Sequence, residues 1–501
     1  MLRTLWSLDT MVDELTLQLP DTQTDRHVIN LPTDARDALY ERYRRRIVHN
    51  RALDRTLVSF QANKGAPFYG WFKYREGFSE SLVSYLLREL HPHPGVLLDP
   101  FAGSGSALFG ARNLGWESHG IEVLPVGMYA MQARIIADRV NAEAFRDAVA
   151  ELTHVNFNEY ANGAQALGHI AITRGAFPSD QEAELTGYIA YCHSAVADED
   201  VRTLLLYAAF CILEDMSFTR KDGQYLRWDA RSGRSQGKKP FNKGRILSFR
   251  EALDGKLSQM VADLGFRPAQ QSLFPTDDLT SSLPDMRLHQ GSCLSILPTI
   301  AGEEFDFVLT SPPYVNRYDY TRTYALELIY LGCDAEQVKL LRQTMLSCTV
   351  ENRDKRQQLE AYYAQLDRRH DFAAIDAAFN NQSALQEVLG ILDRYRAQGQ
   401  LNNSNIARLV RNYFYEMCFV IFELARLLRP GGIVSMVNDN VRYQGEEVPV
   451  DLILSDFAES FGLSVRHIWT LGRGKGNSSQ QMGSHGRTEM RKCVYVWEKR
   501  S

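Results

Sequence analysis

The chain has 501 residues, 45% of them hydrophobic and 23% charged, the proportions of a soluble globular protein too long for one ordinary domain. Its 56 basic and 61 acidic residues leave a net charge of −5, so the molecule as a whole is no electrostatic nucleic-acid binder and any basic surface must be local. Seven cysteines, odd in number and without a C-x-x-C pair, argue against a disulfide framework or a zinc site.

No apolar run reads as a signal peptide or a membrane span, so the expectation is a cytoplasmic protein with reduced thiols and no metal. Six segments follow one another: 1–57, 58–140, 141–288, 289–332, 333–412 and 413–501. In the first, an arginine-rich stretch over 36–55 reads as an amphipathic helix with Leu39, Tyr43, Ile47 and Leu53 on one side. Its arginines form either a solvated face or a basic arm that contacts phosphates. An aromatic run (Phe68 to Phe78) precedes a helix over 80–90, with Ser79 as its N-cap and Leu82, Val83, Leu86, Leu87 and Leu90 as its buried stripe. The apolar run Val96-Leu97-Leu98 then ends in Asp99 and enters a turn of small residues. There Gly103 and Gly105 let the backbone pass close to a ligand. A second strand over 117–121 closes on Glu122, at the spacing where acids of nucleotide-binding folds accept bonds from ribose hydroxyls. No lysine follows the second glycine, as a P-loop requires, and the third glycine of the dinucleotide fingerprint is missing. A ribose-binding acid without phosphate machinery fits an adenosine ligand that has no phosphates.

Residues 141–288 stand outside this pattern. A helical stretch over 182–216 gives way to ten bases, Arg220, Lys221, Arg227, Arg231, Arg234, Lys238, Lys239, Lys243, Arg245 and Arg250, against Asp222 and Asp229. Tyr225, Trp228 and Phe241 are interleaved with them. Such a run is either a basic loop or a local phosphate-binding surface whose rings stack beside an unstacked base. Further on, Phe305 to Leu309 reads as a buried strand that runs into Thr310-Ser311-Pro312-Pro313-Tyr314. Proline cannot donate to a ladder, so the strand stops at Ser311 and delivers a hydroxyl and a ring to its carboxyl end. That is where open α/β sheets hold ligands. The segment 333–412 is helical and polar, and its composition points to no particular chemistry. A helix over 413–428 is stopped by Arg429-Pro430-Gly431-Gly432 before a strand over 433–437. Two last strands, over 464–471 and 492–497, flank a glycine-rich basic loop that could close over substrate.

Asp99-Pro100-Phe101-Ala102-Gly103-Ser104-Gly105 together with Thr310-Ser311-Pro312-Pro313-Tyr314 resembles the S-adenosylmethionine-dependent amino methyltransferases of DNA, which act on N4 of cytosine or N6 of adenine. The match covers 58–140, 288–332 and 413–501, about half of the chain. The resemblance implies an α/β, Rossmann-like, mostly parallel sheet ending in an antiparallel hairpin and interrupted by two largely helical insertions. It carries over Asp99, Phe101, Gly103, Gly105 and Glu122 as cofactor-binding residues, with Asp99 facing the methionine amino group and Glu122 the ribose. Lys73 and Phe78 fall in a segment that packs near the methionine end in the family. Ser292 stands where the family often has an acid against the adenine ring. Ser311, Pro312, Pro313 and Tyr314 become the catalytic motif, and the basic run of 141–288 becomes the target-recognition element. The Ser-Pro-Pro-Tyr form is the usual one among N4-cytosine enzymes, whereas adenine enzymes more often begin with Asp or Asn. The resemblance therefore implies N4-cytosine methylation of double-stranded DNA, alongside a restriction or other defence partner. Alternatives are N6-adenine methylation, an RNA base methyltransferase, and a catalytically silent nucleic-acid-binding subunit.

Overall fold

The computed structural model describes residues 33–161, 163–222, 226–234, 240–265, 283–472 and 490–500. Its strands are β1 (Ile47–His49), β2 (Val96–Asp99), β3 (Glu117–Glu122), β4 (Thr219–Lys221), β5 (Leu226–Trp228), β6 (Met286–Gln290), β7 (Phe305–Thr310), β8 (Leu428–Asp439), β9 (Val441–Tyr443), β10 (Glu446–Val448), β11 (Leu463–Thr470) and β12 (Lys492–Lys499). Eight of them form one sheet in the order β1-β11-β12-β8-β7-β2-β3-β6. Only β12 runs against its neighbours in that sheet, as the expected antiparallel partner of β11; all its other pairings are parallel. From β2 the chain builds outward through β3 to β6, then returns to the other side of β2 with β7. The crevice at the carboxyl ends of β2 and β7 is therefore the switch point where open α/β sheets bind ligands.

Period-two alternation distributes the core over both faces of the sheet. Leu98, Val308, Val434 and Met436 pack on one side with the helix Ile406–Leu427. Leu97, Phe307, Leu309, Ile433 and Val437 pack on the other with the helices Glu80–Leu90 and Ser106–Arg112. The Ser79 hydroxyl caps the first of these helices as expected, accepting the Leu82 N–H. A third apolar cluster joins the inserted helices Ser179–Ala195, Glu199–Met216 and Phe249–Gly265 to Trp71, Phe72 and the helix Pro125–Arg139.

The structure corrects three expectations about elements. The arginine-rich stretch is a helix only over Asp34–Tyr43; after the Arg44–Arg46 turn, Ile47 starts β1, an edge strand pairing with β11. Arg36 is ion-paired with Glu387 and Glu446, and Arg42 with Asp456 and Glu459, so both arginines dock this segment on the core. The helix read over 182–216 is two helices, because Val196 leaves helical geometry and Asp198 caps the second one. Finally, Arg429 to Gly432 lie within β8. The register beside β7 shifts there, and Gly431 takes a φ of +79°. Proline is tolerated in a strand at such an irregularity.

Candidate active site

The pocket at the switch point is an open cleft with about 740 Å³ of space between its walls, solvent at the mouth included. Its floor is the loop after β2. Gly103 (φ +56°) and Gly105 (φ +83°) adopt left-handed conformations that side chains disfavour. A Cβ on Gly103 would stand 2.8 Å from the Tyr74 ring, and one on Gly105 2.8 Å from Phe109. Gly105 caps the helix Ser106–Arg112 and, unlike Gly103, does not line the pocket, since an added Cβ there would point at Phe109 and Met131.

Two buried carboxylates organise this floor. Asp99 Oδ1 accepts the Phe101 N–H (3.0 Å) and the Thr310 hydroxyl (2.6 Å), a bond that joins the ends of β2 and β7. Glu122 accepts the Gly103 N–H on one oxygen and the Leu124 N–H on the other, both at 2.7 Å. Burial pushes both carboxyls up to about 7, and these hydrogen bonds offset only part of the shift. Both acids are thus desolvated and held in fixed orientations.

Phe78, Phe101 and Ser292 line the same pocket. The Ser292 hydroxyl accepts the Leu294 N–H at 3.3 Å, capping the short helix Cys293–Ile296. Lys73 is elsewhere: it is exposed and does not line the pocket. Ser311 and Pro313 reach the pocket directly from the end of β7. Pro312 is buried, and the Ser311 hydroxyl donates to the Tyr314 hydroxyl at 3.4 Å. Beyond Tyr314, Lys492 Nζ lies 5.9 Å from the ring centre and 3.8 Å from Asp439. Burial raises the Tyr314 hydroxyl, which keeps it protonated.

Sequence reasoning missed part of the wall. Tyr74 stacks on Tyr324 with ring centres 5.2 Å apart, and Glu76 accepts the hydroxyls of Tyr318 and Tyr324. The tyrosine spacing just after the Ser-Pro-Pro-Tyr motif was the available signal for this cluster. Met345 and Leu346, from the segment whose composition pointed to no chemistry, also line the pocket.

The basic run divides. Lys221 is buried, ion-paired with Glu327 at 2.5 Å and set over the rings of Phe72 and Tyr324, so it is not a surface phosphate ligand. Trp228 is 3% exposed and covered by Arg234, whose guanidinium also bonds the Arg174 carbonyl at 2.5 Å; that ring does not face an incoming base. Lys243 donates to the carbonyls of Glu214 and Ser217, and burial lowers its ammonium to about 8. Arg231 pairs with Asp229 at 2.8 Å. Arg220, Arg227 and Arg245 are exposed. Lys238, Lys239 and Tyr225, with the loop residues 473–489, lie outside the described residues. Among the described residues no cluster of metal-ligating side chains occurs, and no helix is long and apolar enough to cross a membrane.

Comparison with known proteins places this arrangement. The chain is 43% identical over 466 residues to the type II methyltransferase M.AvaI of Nostoc sp. (strain PCC 7120), with 92% of each chain covered. It is 38% identical over 482 residues to the type II methyltransferase M.BsoBI of Geobacillus stearothermophilus, covering 93% of this chain and 92% of that one. The chain belongs to the type II methyltransferases. It is a site-specific DNA methyltransferase of the restriction-modification type, with S-adenosylmethionine as methyl donor. No family model matches the chain, and no solved structure matches it. The pocket fits this donor: it holds two desolvated acids able to accept from an ammonium and from hydroxyls, and Gly103 in its floor carries no side chain.

Proposed function

We propose that this type II methyltransferase modifies N4 of cytosine in a base turned out of the duplex. The carrying observation is Ser311, a hydroxyl rather than an acid or amide, at the end of β7 where the cofactor pocket opens. S-adenosylmethionine supplies an electrophilic methyl group on a sulfonium. The chain's task is to make a weakly nucleophilic exocyclic amine available to it. In this reading Ser311 Oγ keeps lone pairs toward the amine because its own proton points to Tyr314. The Pro312 carbonyl accepts the second N–H, and together they draw the nitrogen lone pair out of the ring. Positioning then supplies much of the acceleration. Tyr314 stacks on the extruded base, since the target atom cannot be reached inside a duplex.

On the DNA side, Arg220, Arg227 and Arg245 contact backbone phosphates, and base specificity comes from other groups. Asp99, Phe101, Gly103, Gly105, Glu122, Phe78 and Ser292 hold the cofactor, the last with a hydroxyl in place of an acid. The expected partner is a cytoplasmic endonuclease recognising the same site.

Nucleoside mass spectrometry on unmodified mixed-sequence DNA, after incubation with enzyme and S-adenosylmethionine, tests this reading. N4-methylcytosine is the expected product, and Ser311→Ala and Tyr314→Ala should each lower its formation by ~100-fold or more. N6-methyladenine in its place would overturn the choice of base, and unchanged turnover in both variants would overturn the mechanism.

A further inference from the structure

Met345 and Leu346 stand in the turn after the helix Ala335–Thr344, inside the 333–412 insertion, yet they line the pocket of Asp99, Glu122 and Ser292. Both are nearly sequestered, at 6% and 3% exposure. We propose that this turn is a built wall of the cofactor site, presenting an apolar face to the adenosyl group, and that the buried pair Lys355–Glu416 is the positioning device that holds it. The proposal rests on reading the switch-point pocket as the S-adenosylmethionine site.

The tether is specific. Lys355 Nζ donates to the Met345 carbonyl and to Glu416 Oε2, each at 2.7 Å. The Ser347 N–H donates to Glu416 Oε2 at 2.8 Å and the Ser347 hydroxyl to Oε1 at 2.5 Å. Both oxygens of this carboxylate, which is 1% exposed on the long helix Ile406–Leu427, are thus occupied by the turn and its clamp. A buried ion pair is weak evidence for stability, because desolvation cancels much of its attraction; geometric definition is the better account of it here.

A second clamp comes from Asn352. Its side-chain oxygen accepts the N–H groups of Cys348 (3.2 Å) and Thr349 (2.9 Å), and its amide donates to the Arg342 carbonyl at 2.7 Å. The Cys348 thiol reaches the Tyr318 carbonyl, 3.3 Å away, in the chain just past Tyr314. Leu346 belongs to the large apolar cluster that also holds Cys293 and Leu294. Met345 belongs to the cluster of Tyr74 and Leu124, which line the same pocket, so the turn adds apolar surface that suits the uncharged heteroaromatic ring of the ligand better than its charged ends. Nothing charged from the turn itself enters the pocket: its contributions are a thioether and a branched alkyl group.

The test uses the full-length enzyme and S-adenosylhomocysteine. Binding is followed by calorimetry, and amide hydrogen exchange at 345–350 is followed with and without the ligand. The wild type should show slowed exchange at 345–350 on binding. Leu346→Ala and Lys355→Met should weaken binding ~10-fold, Lys355→Arg should recover most of the loss, and KM for S-adenosylmethionine should rise more than kcat falls. Glu122→Ala serves as the reference for the pocket. If Glu122→Ala binds like wild type, the pocket reading falls and this proposal with it. If Glu122→Ala weakens binding while Leu346→Ala binds normally and exchange at 345–350 is unchanged, the wall alone is refuted. Should Lys355→Met fail to fold, Leu346→Ala and the wild-type exchange decide the matter.

Discussion

Asp99 and Glu122 each ionise near pH 7 in the free protein, because burial outweighs the hydrogen bonds they accept. If Asp99 meets the cofactor's ammonium and Glu122 its ribose hydroxyls, as proposed, both contacts favour the ionised forms and ligand binding expels protons. Affinity for S-adenosylhomocysteine should accordingly rise between about pH 6 and about pH 8 and level off above that. Calorimetry in buffers of different ionisation heat reads the protons released. The effect on stability has the opposite sign. Unfolded carboxylates ionise near ~4, so between about pH 4 and about pH 7 the folded state binds more protons, and the ligand-free protein loses stability there as pH rises. At this scale Asp99 and Glu122 were legible because each closes an apolar run at a fixed spacing. Glu76 was not, since its meaning depends on Tyr318 and Tyr324, which lie far along the chain.

The loop between β2 and the helix Ser106–Arg112 has almost no latitude. Gly103→Ala and Gly105→Ala combine a disfavoured φ with a Cβ placed at 2.8 Å from a ring, and each should cost ~1–3 kcal/mol. Urea unfolding midpoints measure this, with Gly115→Ala as the comparison. Gly115 has the same φ as Gly105, +83°, but only Pro94 at 3.7 Å, so its cost should be the smaller. Gly103→Ala should additionally weaken cofactor binding, because relieving the Cβ contact with Tyr74 moves the backbone N–H that orients Glu122. Strands ending in an acid or a proline pair announced themselves through composition. β1 did not: three residues behind an arginine run become a strand only because β11 offers an edge, at a sequence separation of more than 400 residues. The Met345–Leu346 wall was hidden for a similar reason, since Glu416, which fixes it, follows three further helices of the insertion and lies in the core.

For a molecule of net charge −5, association with DNA depends on where its cations are, and the fold removes several of them from the surface. Arg220, Arg227 and Arg245 remain exposed, so replacing each with Gln should lower the salt dependence of DNA affinity by about one unit of slope for every phosphate no longer neutralised. Binding titrations over a series of salt concentrations read that slope. Lys221→Met should leave it alone and instead destabilise the protein by ~3–5 kcal/mol, because Glu327 would stay buried without its cation. The charge run was visible in the sequence; which members face outward was not, because Glu327 and Glu214 come from other elements. The Thr310–Asp99 bond spans the two halves of the chain on either side of the large insertion and couples them. If a bound ammonium lies beside Asp99, as proposed, its positive charge favours loss of the Asp99 proton to solvent, the acceptor of that bond becomes a full anion, and the bond strengthens. Thr310 is the residue before Ser311, so on that reading news that the methyl donor has arrived is delivered, through one hydroxyl, to the place where the base has to fit.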